Sequence, residues 1–387
     1  MMVLDLSGRG TAVVIGLDSH GIAVARALST QGIVVHALEK DMRQPGVASK
    51  YVAGVWPVRS YDPHDLLPAL KALRERLPRD AEVVLHAIND RHVETIARHL
   101  DELLPLYRIA WALAAECVLR LQRKDELEAH SRQRGLLYPR SAVLGDAADA
   151  VKVADFAYPL IVKPVRPQSS FKTLLVDSPG ALAPLLARHA GALPVLVQEY
   201  IAGDDSSLFF GALVLDRGRV IQGMVGRKIA SYPPARGQTT IALTADESQV
   251  LEQSARFFEG TGISGPASLE LKRDPQGRFW VIEPTVGRTD HWLQLCISAG
   301  LNQPLLAHAI ACGQPCEGHG PLVDCVWYDT ERDPLAYARL CRDQRTLRPL
   351  ARRQVFPYWG HGDLRPWVCA LRNLAARRAR MPLAAAR

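Results

Sequence analysis

Two carboxylates, Glu270 and Glu283, fall in a segment that reads as a hairpin: Leu269-Glu270-Leu271-Lys272-Arg273-Asp274-Pro275-Gln276-Gly277-Arg278-Phe279-Trp280-Val281-Ile282-Glu283. The Asp-Pro-Gln-Gly run predicts a four-residue turn that faces Arg273 with Arg278. Glu270 then opposes Val281. Glu283, two residues on, shares that face on the diagonal, and Leu269, Leu271, Trp280 and Ile282 point into the core. Diagonal neighbours lie about 7 to 8 Å apart. That span lets both carboxylates reach one Mg2+ or flank a pair of ions about 4 Å apart. The two acids alone leave a solvated hairpin face as the alternative.

Lysines change the balance. Lys163 ends a strand, Pro-Leu-Ile-Val-Lys-Pro, whose other side chains are apolar. An ammonium in such a place needs an anion, and phosphate is a natural one. Lys124 opens a helix ahead of Gly135, far enough from Lys163 for a subdomain to lie between them.

The elements that must position these groups fall into two regions. Residues 10 to 110 alternate strand and helix: Thr11 to Leu17, a Gly16/Gly21 turn, a helix to Thr30, Ile33 to Leu38, Pro63 to Arg76, Glu82 to Ile88, and Asp90 to Leu103. Such alternation builds a parallel sheet covered by helices. His20, Asn89 and Asp90 then lie near the carboxyl ends of its strands, where open parallel sheets bind ligands; His20 and Asn89 serving only the turn backbone is the other reading. Gly16, Gly21 and Glu39 half-match a dinucleotide fingerprint, but the tight Gly-x-Gly is missing. After a helical bridge from Cys117 to Arg134, the second region shows mostly antiparallel strands: Pro159 to Lys163, Val195 to Glu199, a hairpin Ser206 to Leu215 and Arg219 to Val225 turned at Asp216, Arg217 and Gly218, and the Glu270/Glu283 hairpin, preceded by a helix Glu247 to Glu259.

Composition sets the frame. The 387 residues are 48% hydrophobic and 22% charged, which fits folded domains and argues against wholesale disorder. The longest apolar run, Ile109 to Ala115, is far too short to span a bilayer. Seven scattered cysteines, of which only Cys312 and Cys316 are close, fit a reducing compartment, and the cytoplasm is the expected location. The net charge of +7 is unevenly placed: residues 331–387 carry 13 arginines, no lysine and four acids, leaving the body at −2. A basic surface around the site, as a nucleic-acid enzyme would carry, is not expected.

Taken in order, these residues resemble the ATP-grasp superfamily of carboxylate-amine ligases over about residues 10 to 315. The series runs Arg-Lys124-Asp-Glu-Leu, Tyr-Pro-Leu-Ile-Val-Lys163-Pro, Val-Gln198-Glu199-Tyr-Ile201-Ala-Gly203-Asp-Asp205, Gly-Arg227-Lys228, Glu270, and Glu283-Pro-Thr285-Val-Gly-Arg288. The resemblance implies a pre-ATP-grasp Rossmann-like domain (1–115), an ATP-grasp domain of two α+β subdomains (116–318, the nucleotide-binding one within 116–200) and a basic extension (319–387). It also implies ATP and Mg2+ as cofactors. Lys124 and Lys163 would bind phosphates, with Ser169 and Ser170 in the covering loop. Gln198, Glu199 and Ile201 would read adenine, Asp205 would hold the ribose, and Glu270, Glu283 and Thr285 would hold the metal. Lys228, Arg288 and Arg227 would serve the reacting groups, and His20, Asn89 and Asp90 the substrate. Thr285 stands where the family has asparagine, Arg288 comes two positions later than usual, and the loop after Lys163 lacks the customary glycines.

The implied reaction joins a small-molecule carboxylate to an amine through an acyl phosphate, releasing ADP and phosphate. A carbamoyl-phosphate-like or other phosphoryl-transfer enzyme, a dinucleotide-dependent oxidoreductase and a non-catalytic ATP-binding module are the alternatives. No nucleic-acid partner is expected, and a homodimer is an open possibility. In the basic tail, Trp367, Leu371 and Leu374 fall on one helical face beside Arg372, Arg377, Arg378 and Arg380. Such a helix suits peripheral contact with an anionic membrane, at its inner face, or with an acidic polymer, and packing back on the body is the alternative.

Overall fold

The computed structural model describes residues 10–165, 171, 173–234, 237–316, 320, 322–335, 338 and 352–380. The N-terminal sheet comprises β1 (Thr11–Ile15), β2 (Val34–Glu39), β3 (Gly54–Pro57) and β4 (Val83–His86), all parallel in the order β3-β2-β1-β4. Every residue of β1 is buried, as a Thr-Ala-Val-Val-Ile run between two helical layers requires. Helices α1 (Ser19–Ser29), α2 (Pro63–Arg76), α3 (Asp90–Arg98) and the short α4 (Leu100–Leu103) alternate with these strands.

The glycines of the half-fingerprint serve this connection. Gly16 adopts φ +97°, and a Cβ on Gly21 would stand 2.0 Å from the Gly16 carbonyl oxygen. Glu39, the acid a dinucleotide site would turn to a ribose, is 2% exposed. Its carboxylate accepts from Leu17 N at 2.6 Å, Asp41 N at 2.8 Å and the Tyr61 hydroxyl at 2.9 Å. These residues hold the turn together, so the oxidoreductase alternative loses its motif.

The expected helical bridge is two helices, α5 (Ala115–Leu121) and α6 (Leu127–Gln133). A four-stranded antiparallel sheet follows: β5 (Ser141–Leu144), β6 (Leu160–Pro164), β7 (Leu174–Val176) and β8 (Val195–Glu199), in the order β5-β8-β6-β7, with α7 (Pro179–Arg188). Its core, built from residues such as Leu144, Val162, Leu186 and Val197, is its own.

The largest sheet has seven strands in the order β13-β12-β9-β10-β11-β14-β15. They are β9 (Leu208–Asp216), β10 (Arg219–Tyr232), β11 (Gln238–Thr244), β12 (Gly265–Arg273), β13 (Phe279–Val286), β14 (Cys325–Tyr328) and β15 (Arg353–Val355), flanked by α8 (Ser248–Phe258), α9 (Leu293–Ala299) and α10 (Gln303–Ala311). One core joins Val13, Leu70 and Val93 to Phe257, Leu269 and Val281, and a second joins Val14 and Leu28 to Leu293 and Trp327. The N-terminal and seven-stranded sheets therefore share their interior.

The segment past residue 319, read from its charge as an extension, enters this body. β14 pairs with β11, and β15 pairs with β14 in parallel. The final helix α11 (Arg365–Arg380) returns to the N-terminal domain, where Asp363 meets the buried Arg26 at 3.0 Å. Among the described residues no helix is long and apolar enough to cross a membrane.

Candidate functional site

The β12–β13 hairpin closes one residue differently from expectation. Asp274 N donates to Arg278 O at 2.9 Å and Gly277 takes φ +84°, so Pro275, Gln276 and Gly277 form a three-residue loop. Asp274 pins that corner. It accepts from Gln276 N, Arg278 N, Arg278 Nε at 2.7 Å and Trp280 Nε1 at 2.9 Å. Burial opposes its charge, but these donors prevail and bring its pKa to about 2.

Arg273 consequently faces Phe279, and Leu271 faces Val281. This one-residue shift exchanges the faces: Val281 is in the core, while Trp280 and Ile282 are half-buried rather than core residues. A bulge then leaves Ile282 unmatched and sets Glu270 directly opposite Glu283, not diagonal to it. The next pair on that face is Ser268 and Thr285.

A third acid joins them. Asp290, beyond the end of β13, accepts from the Ser268 hydroxyl, from the Thr285 hydroxyl at 3.3 Å and from Arg288 Nη1 at 3.4 Å. Burial raises the Glu270 pKa; Lys228 and Lys163 pull it down, while Glu283 and Asp290 push it up. Two opposed carboxylates with a hydroxyl beside them form an all-oxygen donor set, which suits Mg2+ with its remaining positions left to water and phosphate. Among the described residues no group of three or more Asp, Glu, His or Cys forms a complete metal cage.

The lysines come from two sheets. Lys163 on β6 reaches Gln198 Oε1 at 3.4 Å, and Gln198 Nε2 donates to Ser141 Oγ at 3.0 Å. Lys228 on β10 is paired with Asp205 at 3.0 Å, both being nearly buried, and Asp205 also accepts from Ser231 Oγ at 2.6 Å. Asp205 thus braces Lys228 in this structure.

Other expected residues are placed elsewhere. Arg227 points to the face of β10 opposite Lys228: its Nε donates to Ser206 O at 2.6 Å and its guanidinium lies 5.2 Å from the Phe209 ring centroid. It is not gathered with the acids. The Glu199 carboxylate accepts from Ala157 N at 2.9 Å and its backbone N–H donates to Arg140 O at 3.0 Å, and Ile201 is half-buried just after β8. Lys124 lies in the turn between α5 and α6, not at a helix start. Ser169 and Ser170 lie outside the described residues.

The substrate candidates meet the same segment from the N-terminal sheet. Asp90 binds Arg288 through two contacts, 2.6 and 3.1 Å. Burial works against the Arg288 charge, but Asp90 and Asp290 outweigh it and raise its pKa. His20 Nε2 contacts Thr289 Oγ1, and burial, with Arg288 and His291 nearby, drives its pKa well down, so it is neutral. Asn89 caps α3, accepting from His92 N at 3.0 Å and contacting the His92 ring at 2.9 Å. Asn89 is a turn residue, and Asp90 is occupied by Arg288.

Sequence reasoning missed Ser268, Asp290 and Lys272. The period of two places Ser268 and Lys272 on the Glu270 face, a signal that was available. Lys272 is buried, with its Nζ 4.4 Å from the ring centroid of Tyr200, just after β8. Burial and then Lys228 lower its pKa to about 8. Asp290, in an irregular loop, has no periodic signal.

No family model matches the chain. It is 32% identical to a D-alanine–D-alanine ligase of Ectopseudomonas mendocina over 194 residues, covering 46% of this chain and 60% of that protein. It is 29% identical to a D-alanine–D-alanine ligase of Pseudomonas putida over 188 residues, 46% of this chain and 59% of that one. The chain thus spans about three-fifths of the length of these curated relatives. Among solved structures, an N5-carboxyaminoimidazole ribonucleotide synthetase in its ADP complex superposes with TM-score 0.68 at 14% identity, over 86% of this chain and 85% of that one. An L-amino acid ligase from Bacillus licheniformis gives 0.61 at 17% identity, over 81% and 78%. The likeness to these structures is one of fold. The chain has the fold of these structures, and over part of its length it is similar in sequence to the curated ligases.

Proposed function

We propose that this chain is an ATP-dependent ligase that joins a carboxylate to an amine through an acyl phosphate and releases ADP and phosphate. The observation that carries the reading is Glu270 facing Glu283 across β12 and β13, with Lys163 and Lys228 close enough to offset the charge of Glu270. Ser268 and Thr285 extend that polar face, and Asp290 orients both hydroxyls.

Each residue has a physical task. Glu270, Glu283 and the Thr285 hydroxyl would hold Mg2+, which when bound neutralises phosphate charge during transfer. Lys163, steadied by Gln198, presents an ammonium to the phosphates. Lys228, held by Asp205, stands by the acids where negative charge develops. Neutral His20 with Thr289, and Arg288 braced by Asp90 and Asp290, line the junction with the N-terminal sheet. There a guanidinium and an imidazole can orient a carboxylate and an amine. The names of the relatives, D-alanine–D-alanine ligases and an L-amino acid ligase, support amino acids as the first substrates to test.

Incubation with ATP, Mg2+ and a panel of D- and L-amino acids and sugar acids tests the proposal. ADP and phosphate should form in step with one carboxylate and one amine. AMP and pyrophosphate, or ADP formation that no carboxylate stimulates, would overturn it. Of the further partners read from the sequence, an acidic polymer, a second copy and an anionic membrane, we propose the membrane, because of an exposed apolar stripe on α11.

A further inference from the structure

The last segment is held firmly at its start. The Asp363 carboxylate accepts from Arg26 Nε at 3.0 Å, Ser49 Oγ at 2.7 Å and Lys50 N at 3.1 Å. Arg26 also donates to the carbonyls of Pro357 and Tyr358 at 3.0 and 2.9 Å. The inner side of α11 is satisfied as well: Ala370 packs with Ile22 and Tyr358, and Asn373 donates to Arg43 O at 3.0 Å.

The outer side is not covered. Leu364, Trp367, Val368 and Leu371, spaced i, i+3, i+4 and i+7 on one helical face, are 37 to 47% exposed. Trp359 in the preceding loop is also exposed and meets Trp367 edge to face, with centroids 5.2 Å apart. Five of the sixteen large hydrophobics exposed among the described residues gather here, and the rest are spread over the body. A patch of this kind marks an interaction surface.

Charge selects the occupant. Arg365 and Arg372 are exposed on α11, and Lys50 lies beside Gly362, its Nζ 3.3 Å from where a Cβ on that glycine would be. From residue 344 to the end the only acid is Asp363, and it is 2% exposed and already paired. The outward surface of this segment therefore offers apolar groups and cations with no carboxylate to balance them. A second copy docked face to face would bring arginines against arginines. A polyanion would match the cations but leave the tryptophans in water. An anionic bilayer takes both, with the rings at headgroup depth and the guanidinium groups at the phosphates.

We propose that Trp359 and the Leu364-Trp367-Val368-Leu371 face of α11 form a docking surface that lies flat on an anionic lipid bilayer. The test is sedimentation of the full chain with vesicles of phosphatidylcholine alone and with one quarter phosphatidylglycerol, at about 50 and 500 mM salt. Binding is expected only to the anionic vesicles, and to weaken sharply in high salt. Arg365→Gln and Arg372→Gln should each weaken binding about fivefold. Trp367→Ala with Leu371→Ala should weaken it about tenfold or more. These side chains are exposed, so unchanged melting of the variants shows that the fold is kept. Protein that stays in the supernatant with anionic vesicles at low salt overturns the proposal. So does retention on heparin without vesicle binding, and so does a dimer in light scattering that Trp367→Ala dissolves.

Discussion

Replacing Glu270 by glutamine should make the protein more stable and nearly inactive. Directly opposed residues in an antiparallel pair have Cβ atoms about 4.5 to 5.5 Å apart. Two carboxylates about 6 Å apart repel by about 3 kcal/mol at an effective dielectric of about 20. Lys228 and Lys163 offset part of this, and Asp205 in turn takes up part of Lys228, so about 1 kcal/mol remains. The sign follows from linkage: a carboxyl whose pKa is raised by folding is penalised when ionised, so it contributes least to stability above its ordinary range, at neutral pH. Glutamine removes that penalty and keeps the shape. For a chain of this size the melting temperature in metal-free buffer should rise by about 2 °C. Turnover should fall about 100-fold or more, the loss of several kcal/mol of charge stabilisation. Titration with Mg2+ and ADP should raise the melting temperature of the wild type by much more than that of the variant. If Glu270→Gln lowers the melting temperature, or gains as much from Mg2+ as the wild type does, the acids are a solvated pair and not a metal site.

Asp290→Asn should lower turnover more than Thr285→Val, since Asp290 gathers Ser268, Thr285 and Arg288 while the threonine supplies one hydroxyl; the ratio of the two kcat values checks it. Lys272→Met should leave the melt nearly unchanged and raise KM for ATP about tenfold, the worth of one charged hydrogen bond beside Tyr200. Asp363→Ala should cost about 3 to 5 kcal/mol by leaving the Arg26 guanidinium buried and unpaired, read by urea denaturation and by faster proteolysis of the C-terminal segment. His86 and His308 stack 5.9 Å apart with pKa values lowered to about 3 and about 4 by burial. The unfolded chain therefore binds more protons below about pH 6.5, and stability falls as pH drops through that window; His308→Phe should remove about 2 kcal/mol of the loss between pH 7 and 5.

The most periodic elements were legible from the sequence. Helix α2 and strand β8 have the expected limits, and the Asp216-Arg217-Gly218 turn appears as a two-residue loop with Arg217 at φ +49° and Gly218 at φ +80°. Asp-Pro-Gln-Gly was ambiguous because it suits both a four-residue turn and a three-residue loop ending in a left-handed glycine; nothing local decides between them. The slip and the bulge each move the register by one residue in the same direction, and a total shift of two restores the face, which is why Glu270 and Glu283 were recognised as neighbours from a register that was wrong. β14 and β15 gave no signal: one is four buried residues, the other an edge strand with two exposed residues out of three. Charge counting separated the tail from the body, but a single buried carboxylate, Asp363, ties it back.

Arg288 shows why the roles of single residues were harder to read than the presence of the site. Its two positions of displacement from the usual spacing put the guanidinium between Asp90, from the N-terminal sheet, and Asp290, from the segment after β13. It therefore joins the ends of two sheets that already share two cores, and the acids and the candidate substrate residues meet there. The four-stranded sheet has a separate core and carries Lys163 and Gln198. Lys163 and the acids that would hold the metal are thus carried by sheets with different cores. Lys163 nonetheless lies near enough to Glu270 to help lower its pKa. Under the proposed function, the substrate end of the site would sit on two sheets with shared cores and the nucleotide end on a sheet with its own. The sequence order of the motifs could reveal the second arrangement, but only the coordinates of Asp90, Arg288 and Asp290 could reveal the first.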